Sequence, residues 1–177
     1  MISALSSMEP EMRLGDNTMD TELGFATDER EEIASGLSKI LTDTFALYHQ
    51  THRLHWHLKG TTLQALDSMF HEQYGEVRPV VEAIATRIRE LGFKMPDAYA
   101  DLVKLTLLWE DPGVSDHIRT LQLLADAHDA VARTARGVFK LAARARDDQT
   151  CELMLQRMQI HETTAWMLRN LAAWEMH

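Results

Sequence analysis

The sequence is poor in the residues on which extracellular and all-β proteins depend. Its 177 residues include a single cysteine, Cys151, so no internal disulfide and no Cys-x-x-Cys motif can form. Eight glycines and four prolines are few for an all-β chain, which needs turn residues at every hairpin. With 45% apolar and 25% charged residues, the composition predicts a helical protein. The single cysteine favours a reducing compartment, which we expect to be the cytoplasm.

Long apolar runs and concentrated positive charge are also missing. No stretch of about 18 apolar residues occurs, so we expect no membrane span and no membrane partner. The first twelve residues lack the basic region and apolar run of a signal peptide. The net charge of −9 predicts weak binding to polyanions unless the few cations are concentrated in one place.

The first 27 residues differ from the remainder. They carry five acidic side chains and one basic side chain, Arg13, and show no helical apolar period. We therefore predict an acidic, poorly ordered tail over residues 1–27 and one domain over residues 28–177.

Four long segments of that domain have the apolar period of a helix. The first is predicted to start at Thr27, the second at Thr61-Thr62 and the third after Ser115, and the fourth follows the break at Asp147-Asp148. We expect the first two helices to end at Gly60 and near Gly92, where glycine can adopt the left-handed conformation of a helix end. Pro79 lies inside the second helix and predicts either a bend or a helix held by its packing.

The connection between the second and third helices is long, and residues 101–109 have room for a short helix. Four long helices joined by two short loops and one long middle connection predict an all-α, ferritin-like four-helix bundle. The short extra helix lies in the connection between helices two and three.

Histidines recur on the first helix as His49, His52 and His55. At 100° per residue, His55 falls inside the apolar stripe, His52 falls about 60° away, and His49 points toward solvent. We therefore take His55, with His52 as a second candidate, as the histidine placed for buried chemistry.

One edge of the second helix, which flanks the apolar stripe and is predicted to be partly buried, carries Asp67, His71 and Glu82. Carboxylate and imidazole together suit a hard or borderline metal ion. The spacing fits a solvated salt-bridge edge equally well, because Arg78 and Glu82 are four residues apart and can pair.

Several sharper motifs are absent. A self-contained di-iron site needs Glu-x-x-His on two helices, and no histidine here has a glutamate three residues before it. His161-Glu162 opens like a zincin motif, but Ala165 stands where the second histidine belongs. Any metal site must therefore be completed by another chain.

Four segments of the sequence together resemble a known family. Residues 51–60 are similar to its Thr-His-x-x-His-Trp-x-x-x-Gly signature, and the resemblance continues over residues 70–74, 84–92 and 161–169. The family is Dps, the DNA-binding proteins from starved cells or bacterial miniferritins, and the resemblance covers about residues 28–174.

The resemblance implies a hollow shell of twelve subunits. In such a shell Fe²⁺ is oxidised, preferably by hydrogen peroxide, at sites shared between two subunits, and ferric iron is stored inside. Carried over by position, the catalytic and metal-binding residues are His55, Asp67 and His71 of one subunit and Glu82 of its two-fold partner, with His52 as a fifth candidate.

This sequence departs from the family's ligand pattern. Asp67 stands where a histidine is usual, His71 where an aspartate is usual, and Glu82 replaces an aspartate. Thr86 occupies the position of the family's glutamate ligand, and its hydroxyl is a weak ligand for Fe²⁺. Ferroxidase activity is thus one hypothesis, and a non-catalytic shell that binds zinc structurally is the other, since two imidazoles suit Zn²⁺.

DNA binding in the family usually rests on a basic terminal extension, whereas residues 1–27 here are acidic. We therefore do not expect this chain to bind DNA. The cations of the third helix are interpreted as a solvated face that pairs with acids of a neighbouring chain: Arg133, Arg136, Lys140, Arg144 and Arg146.

Two further groups have open interpretations. Trp56, Trp166 and Trp174 are interpreted first as core or interface aromatics. The resemblance implies that the acids from Asp147 to Glu152 line an entry pore at a three-fold axis. A helix start with acids in its first turn explains them equally well.

Overall fold

The computed structural model describes residues 23–57, 61–94 and 117–175. Four helices account for almost all of them: α1 (Thr27–His57), α2 (Thr61–Glu90), α3 (His117–Ala145) and α4 (Asp148–Glu175). The predicted all-α, ferritin-like bundle is confirmed. The predicted tail up to residue 22, the end of α1 at Gly60 and the short helix at 101–109 lie outside the described residues.

The apolar faces of the helices meet in two buried clusters. α1 packs against α2 and α3, and α3 makes its most extensive contacts with α4. One cluster joins all four helices and includes Ile33, Leu37, Ile40, Ile84, Ile88 and Met154. The other joins α1, α3 and α4 and includes Leu47, Leu121, Leu124, Val131 and Leu168. Burial of each such side chain contributes about 1.5–3 kcal/mol, so these faces fix which side of each helix remains exposed.

Helix α2 runs through Pro79, whose side chain lies on the exposed side of the helix. The helix ends as predicted near Gly92: its last residue is Glu90, and Gly92 has a φ of 96°. The Gly92 N–H donates to the Arg89 carbonyl at 3.0 Å and the Phe93 N–H to the Ile88 carbonyl at 3.2 Å. This pair of bonds is the Schellman helix end, in which glycine relieves the steric cost of a left-handed residue.

Helix α3 ends with the same hydrogen-bond pattern, although no glycine is present. Arg146 adopts a φ of 62°, and the Asp147 N–H donates to the Ala142 carbonyl at 2.9 Å. A left-handed residue with a side chain costs roughly 1–2 kcal/mol. The left-handed conformation of Arg146 is therefore stabilised by contacts around the turn. Some of these contacts are made by the next residue, Asp147.

Asp147 caps the start of α4 and also binds α2. Its buried carboxylate accepts from the Thr150 N–H at 3.0 Å and from Nη2 of Arg87 at 2.7 Å. Arg87 is buried as well, and its Nε donates to the Thr150 hydroxyl at 3.0 Å and its Nη1 to the Gln149 amide oxygen at 2.7 Å. For Asp147, this geometry supports the helix-start interpretation.

None of the helices in the described ranges is long and apolar enough to cross a membrane.

Helices α1 and α3 approach each other closely at Gly36. A Cβ built on Gly36 would lie 2.6 Å from a γ-methyl of Val138, which is closer than real Cβ atoms come to a neighbour. Val138 is buried in the core and β-branched, so its methyl cannot swing away freely. Glycine at position 36 therefore sets the spacing of the two helices.

We expect Gly36→Ala to lower the free energy of unfolding by about 1–3 kcal/mol, the usual cost of overpacking a core. Gly137→Ala is the matched control, because Gly137 is also helical but has nothing within 4 Å of its Cβ position. That substitution should stabilise by up to about 1 kcal/mol through helix propensity alone. Urea unfolding followed by circular dichroism measures both, and equal stabilisation by the two alanines would contradict the close contact.

Candidate metal site on helix α2 and a buried histidine pair

The predicted metal-ligand edge of α2 faces away from the bundle. Asp67, His71, Glu82 and Thr86 are all exposed and fall within roughly 120° around the helix axis. Their exposure follows from the opposite face, where Ile84, Ile88 and Leu91 are buried in the core. The edge is therefore a surface of the single chain, open to solvent or to a neighbouring subunit.

Glu82 has a partner within its own helix. Nε of Arg78 lies 3.0 Å from Oε1 of Glu82, in the i, i+4 pair that the sequence offered as the alternative to a metal site. The two side chains are 88% and 65% exposed. An exposed pair of this kind is worth about 0.3–0.5 kcal/mol, so it cannot hold Glu82 against a divalent cation.

The first-helix histidines have different environments. His49 is exposed, as predicted, and His52 is half-buried and stacked on Tyr48 with ring centroids 5.8 Å apart. His55 lies in α1, but its side chain is outside the described part of the chain. Among the side chains that the structure describes, no three His, Cys, Asp or Glu residues are grouped so that they could hold a metal ion.

A buried pair of histidines joins α3 to α4, and the sequence did not indicate that they meet. Nδ1 of His128 lies 3.1 Å from Nδ1 of His161, and both rings are buried. One Nδ1–H must donate to Nδ1 of the other ring, which requires the accepting imidazole to be neutral with its proton on Nε2. The sequence does place each histidine in the apolar stripe of its own helix. That position indicates burial but not contact between the two rings.

The electrostatics of the pair favour the neutral form and disfavour a cation. Burial, and next the charge of His161, lower the pKa of His128 to about 3. Burial, and next the charge of Arg157, lower the pKa of His161 to about 4. The Arg157 cation lies close enough to His161 to disfavour a second positive charge on that ring. We therefore interpret the neutral pair as a structural link between α3 and α4.

The pair predicts a stability that depends on pH. Both folded-state pKa values lie below the ordinary value of 6.5. The unfolded chain therefore binds protons first as the pH falls. Stability from the neutral pair is complete above about pH 6.5 and is lost as the pH falls toward 4, by roughly 2 kcal/mol per histidine at pH 5.

Urea unfolding between pH 7 and pH 4.5 measures this loss. The double variant His128→Leu with His161→Leu should flatten the profile, whereas His49→Leu, which removes an exposed histidine, should leave it unchanged. Superimposable profiles for the unvaried chain and the double variant would contradict the assignment.

The cations of α3 include two that pair with acids of the same chain. Nη2 of Arg144 lies 2.6 Å from a Glu32 carboxylate oxygen of α1, and Arg136 forms an ion pair with Glu162 of α4. For these two residues the expected pairing with a neighbouring chain is wrong, because helix packing brings acids of α1 and α4 alongside α3. The face is thus partly neutralised within the subunit.

The tryptophans of α4 are not core residues of this chain. Trp166 is 65% exposed and Trp174 is 82% exposed, which contradicts the core interpretation and leaves an interface role as a prediction. The side chain of Trp56 lies outside the described residues.

A family model for the ferritin-like domain matches residues 34–174 of the chain. Among solved structures, a Dps protein of Vibrio cholerae O1 is 26% identical, with a TM-score of 0.73, and the match covers 89% of this chain and 98% of that one. DpsC of Streptomyces coelicolor is 20% identical with a TM-score of 0.77, which covers 91% of this chain and 95% of that one.

Curated relatives agree with the structures. A low temperature-induced protein of Nostoc is 27% identical over 150 residues, covering 84% of each chain. The DNA protection during starvation protein of Porphyromonas gingivalis is 23% identical over 145 residues, covering 82% of this chain and 91% of the relative. The chain belongs to the ferritin-like family and, within that family, to the Dps branch or miniferritins.

Proposed function

We propose that this protein is an iron-storage miniferritin. It oxidises Fe²⁺ at sites shared between two subunits, with hydrogen peroxide as the preferred oxidant, and stores the ferric product inside a twelve-subunit shell. The observation that carries the proposal is the ferritin-like match over residues 34–174, combined with a ligand-bearing edge that the single chain leaves exposed.

The exposed edge supports a site between subunits. Asp67 and His71 lie one helical turn apart, and Glu82 lies three turns further along the same side of α2. No single ion can reach all three within one chain, but a two-fold neighbour brings its own Glu82 beside Asp67 and His71. His55 of α1 completes the set as a nitrogen donor.

The residues have distinct roles in the proposed reaction. Two Fe²⁺ ions lose one electron each, and the peroxide O–O bond accepts both electrons and breaks to give two hydroxide ions. Asp67 and Glu82 supply negative charge, which offsets the rise in iron charge during oxidation. His55 and His71 bind as neutral imidazoles and hold the ions in place.

Thr86 makes this site weaker than a full carboxylate centre. It is exposed on the ligand edge, one turn beyond Glu82, and carries no charge. Fewer anionic oxygens favour a four-coordinate ion that accepts imidazole, which is the preference of Zn²⁺. A structural zinc site in a non-catalytic shell is therefore the second candidate.

DNA binding is not part of the proposal. Arg136 and Arg144 are paired within the chain, and the residues before position 27 carry five acids and one arginine. Phosphate binding needs concentrated, available cations.

The first test is assembly and metal loading of the full chain. Light scattering should give a particle far heavier than the 20.2 kDa chain. Anaerobic Fe²⁺ loading followed by peroxide should then produce ferric absorbance, and added Zn²⁺ should reduce the rate. A monomer that binds no metal would refute both candidates, and assembly with zinc binding but no ferric product would favour the second.

The second test adds the missing carboxylate. Thr86→Glu should tighten Fe²⁺ binding about tenfold or more and speed oxidation, because it adds an anionic oxygen donor beside Glu82. His55→Ala should abolish binding, whereas the matched control His49→Ala, on the exposed side of α1, should not. An unchanged rate in Thr86→Glu, with loss of binding in Glu82→Ala, would show that Glu82 already fills the glutamate's role.

A further inference from the structure

The second half of α3 and the turn after it carry an exposed basic stripe. Residues 133–146 contain no acid, and the stripe consists of their five cations: Arg133, Arg136, Lys140, Arg144 and Arg146. All five are exposed, and the four that belong to the helix fall within roughly 80° of one another around its axis. The opposite side of the helix buries Ala135, Val138 and Ala142 in the core, so the stripe faces away from the bundle.

Acids of the same chain neutralise only part of the basic stripe. Arg136 and Arg144 are paired with acids of α4 and α1. Among residues 23–57, 61–94 and 117–175, no acid forms an ion pair with the other three, Arg133, Lys140 and Arg146. Like charges on one helix side repel each other, and an anion that lies along them relieves that repulsion.

The first 22 residues of the chain carry the opposite charge. They contain five acids, Glu9, Glu11, Asp16, Asp20 and Glu22, against the single cation Arg13. Five negative charges against one positive charge leave the segment with a net charge of −4. The segment therefore matches the basic stripe in the size of its charge and is opposite to it in sign.

The described chain begins beside one end of the basic stripe. The ion pair between Arg144 and Glu32 brings the start of α1 next to the end of α3. Leu23, the first described residue, packs against the core cluster that contains Ala145, in the last turn of α3. The stripe is about 20 Å long, and 22 residues of extended chain span up to about 70 Å. The whole stripe is thus within reach of residues 1–22.

We propose that residues 1–22 dock on the basic stripe of their own subunit. The acids of the segment pair with Arg133, Lys140 and Arg146, and the docked segment keeps other polyanions off the stripe. The contact consists of exposed ion pairs, each worth up to about 1 kcal/mol, so the segment needs no fixed secondary structure and added salt weakens the contact. It depends on neither the metal site nor the shell.

The covalent connection favours this occupant over a free polyanion. A segment joined to a nearby site by a short linker has an effective concentration in the millimolar range at that site. A free polyanion must displace the segment first, so the intact chain binds such ligands weakly although it has a basic stripe. Neutralising the acids of the segment removes the competitor and leaves the stripe unchanged.

Carbodiimide cross-linking of the full chain tests the contact, because this reagent joins an amine to a carboxylate only where the two groups touch. Lys140 is the one lysine of the stripe, and Lys94, an exposed lysine just beyond α2, is the control. We expect peptides from residues 1–22 to be joined to Lys140 and not to Lys94, with a yield that falls several-fold in about 0.5 M salt.

Isotope labelling identifies the subunit to which the docked segment belongs. Protein assembled from a mixture of ¹⁵N-labelled and unlabelled chains should give links in which both peptides are labelled or both are unlabelled. Links that join a labelled peptide to an unlabelled one in the statistical proportion would assign the segment to a neighbouring subunit and overturn docking within one subunit.

Binding of heparin, used as the polyanion probe, measures the competition. The five-amide variant of residues 1–22 should bind heparin about tenfold or more tightly at low salt than the unvaried chain. Its substitutions are Glu9→Gln, Glu11→Gln, Asp16→Asn, Asp20→Asn and Glu22→Gln. Adding Arg133→Gln with Lys140→Gln should cancel the gain. Adding Arg89→Gln with Lys94→Gln, two exposed cations outside the stripe, should preserve it.

Three results would overturn the docking. Equal loss of heparin binding with the two cation pairs would assign the gain to net charge alone. An unchanged affinity in the five-amide variant would show that the segment does not cover the stripe, and links to Lys94 as frequent as links to Lys140 would show that it lies elsewhere. None of these measurements involves iron, so such a failure is distinct from failure of the proposed function.

Discussion

The buried guanidinium of Arg87 holds together the parts of the subunit on which the candidate site depends. It binds Asp147, Gln149 and Thr150 at the start of α4 from the last turns of α2. A buried ion pair of this kind is not a large net source of stability, but loss of one partner leaves an uncompensated charge that costs about 3–5 kcal/mol. The network therefore fixes where the ligand helix ends relative to the rest of the bundle.

Because the end of α2 is fixed, one face of the helix is buried in the bundle and the other is exposed. The inner face buries Ile84, Ile88 and Leu91 with Arg87, which leaves the helix no freedom to rotate. The outer face then presents Asp67, His71 and Glu82 at the surface, where the described side chains of one chain do not form a metal site. In the proposed function, assembly and metal binding are linked for this reason.

The buried hydrogen bond between α3 and α4 joins neutral rather than charged groups. His128 and His161 share a hydrogen bond in a buried environment that keeps both rings neutral at pH 7. α3 and α4 are also connected on their surfaces by Arg169, whose guanidinium lies 2.8 Å from Asp126 and 2.6 Å from Asp129. The two kinds of contact respond differently to acid and to salt, because only the surface pairs are screened.

The sequence by itself determined the four helices, the glycine end of α2 near Gly92 and the common edge of α2 that carries Asp67, His71 and Glu82, although that edge is exposed and not partly buried as predicted. These features follow from local rules, namely the apolar period, the left-handed tolerance of glycine and the 100° step between residues. The sequence was also compatible with both interpretations of Glu82, as a metal ligand and as the ion-pair partner of Arg78. The i, i+4 spacing does not distinguish between them. Only the tertiary structure decided that Arg87 is buried against Asp147, that His128 meets His161 and that Arg144 pairs with Glu32. Each of these contacts joins residues that are distant in the chain, and periodicity assigns a residue to a face without saying which residue of another helix that face will meet.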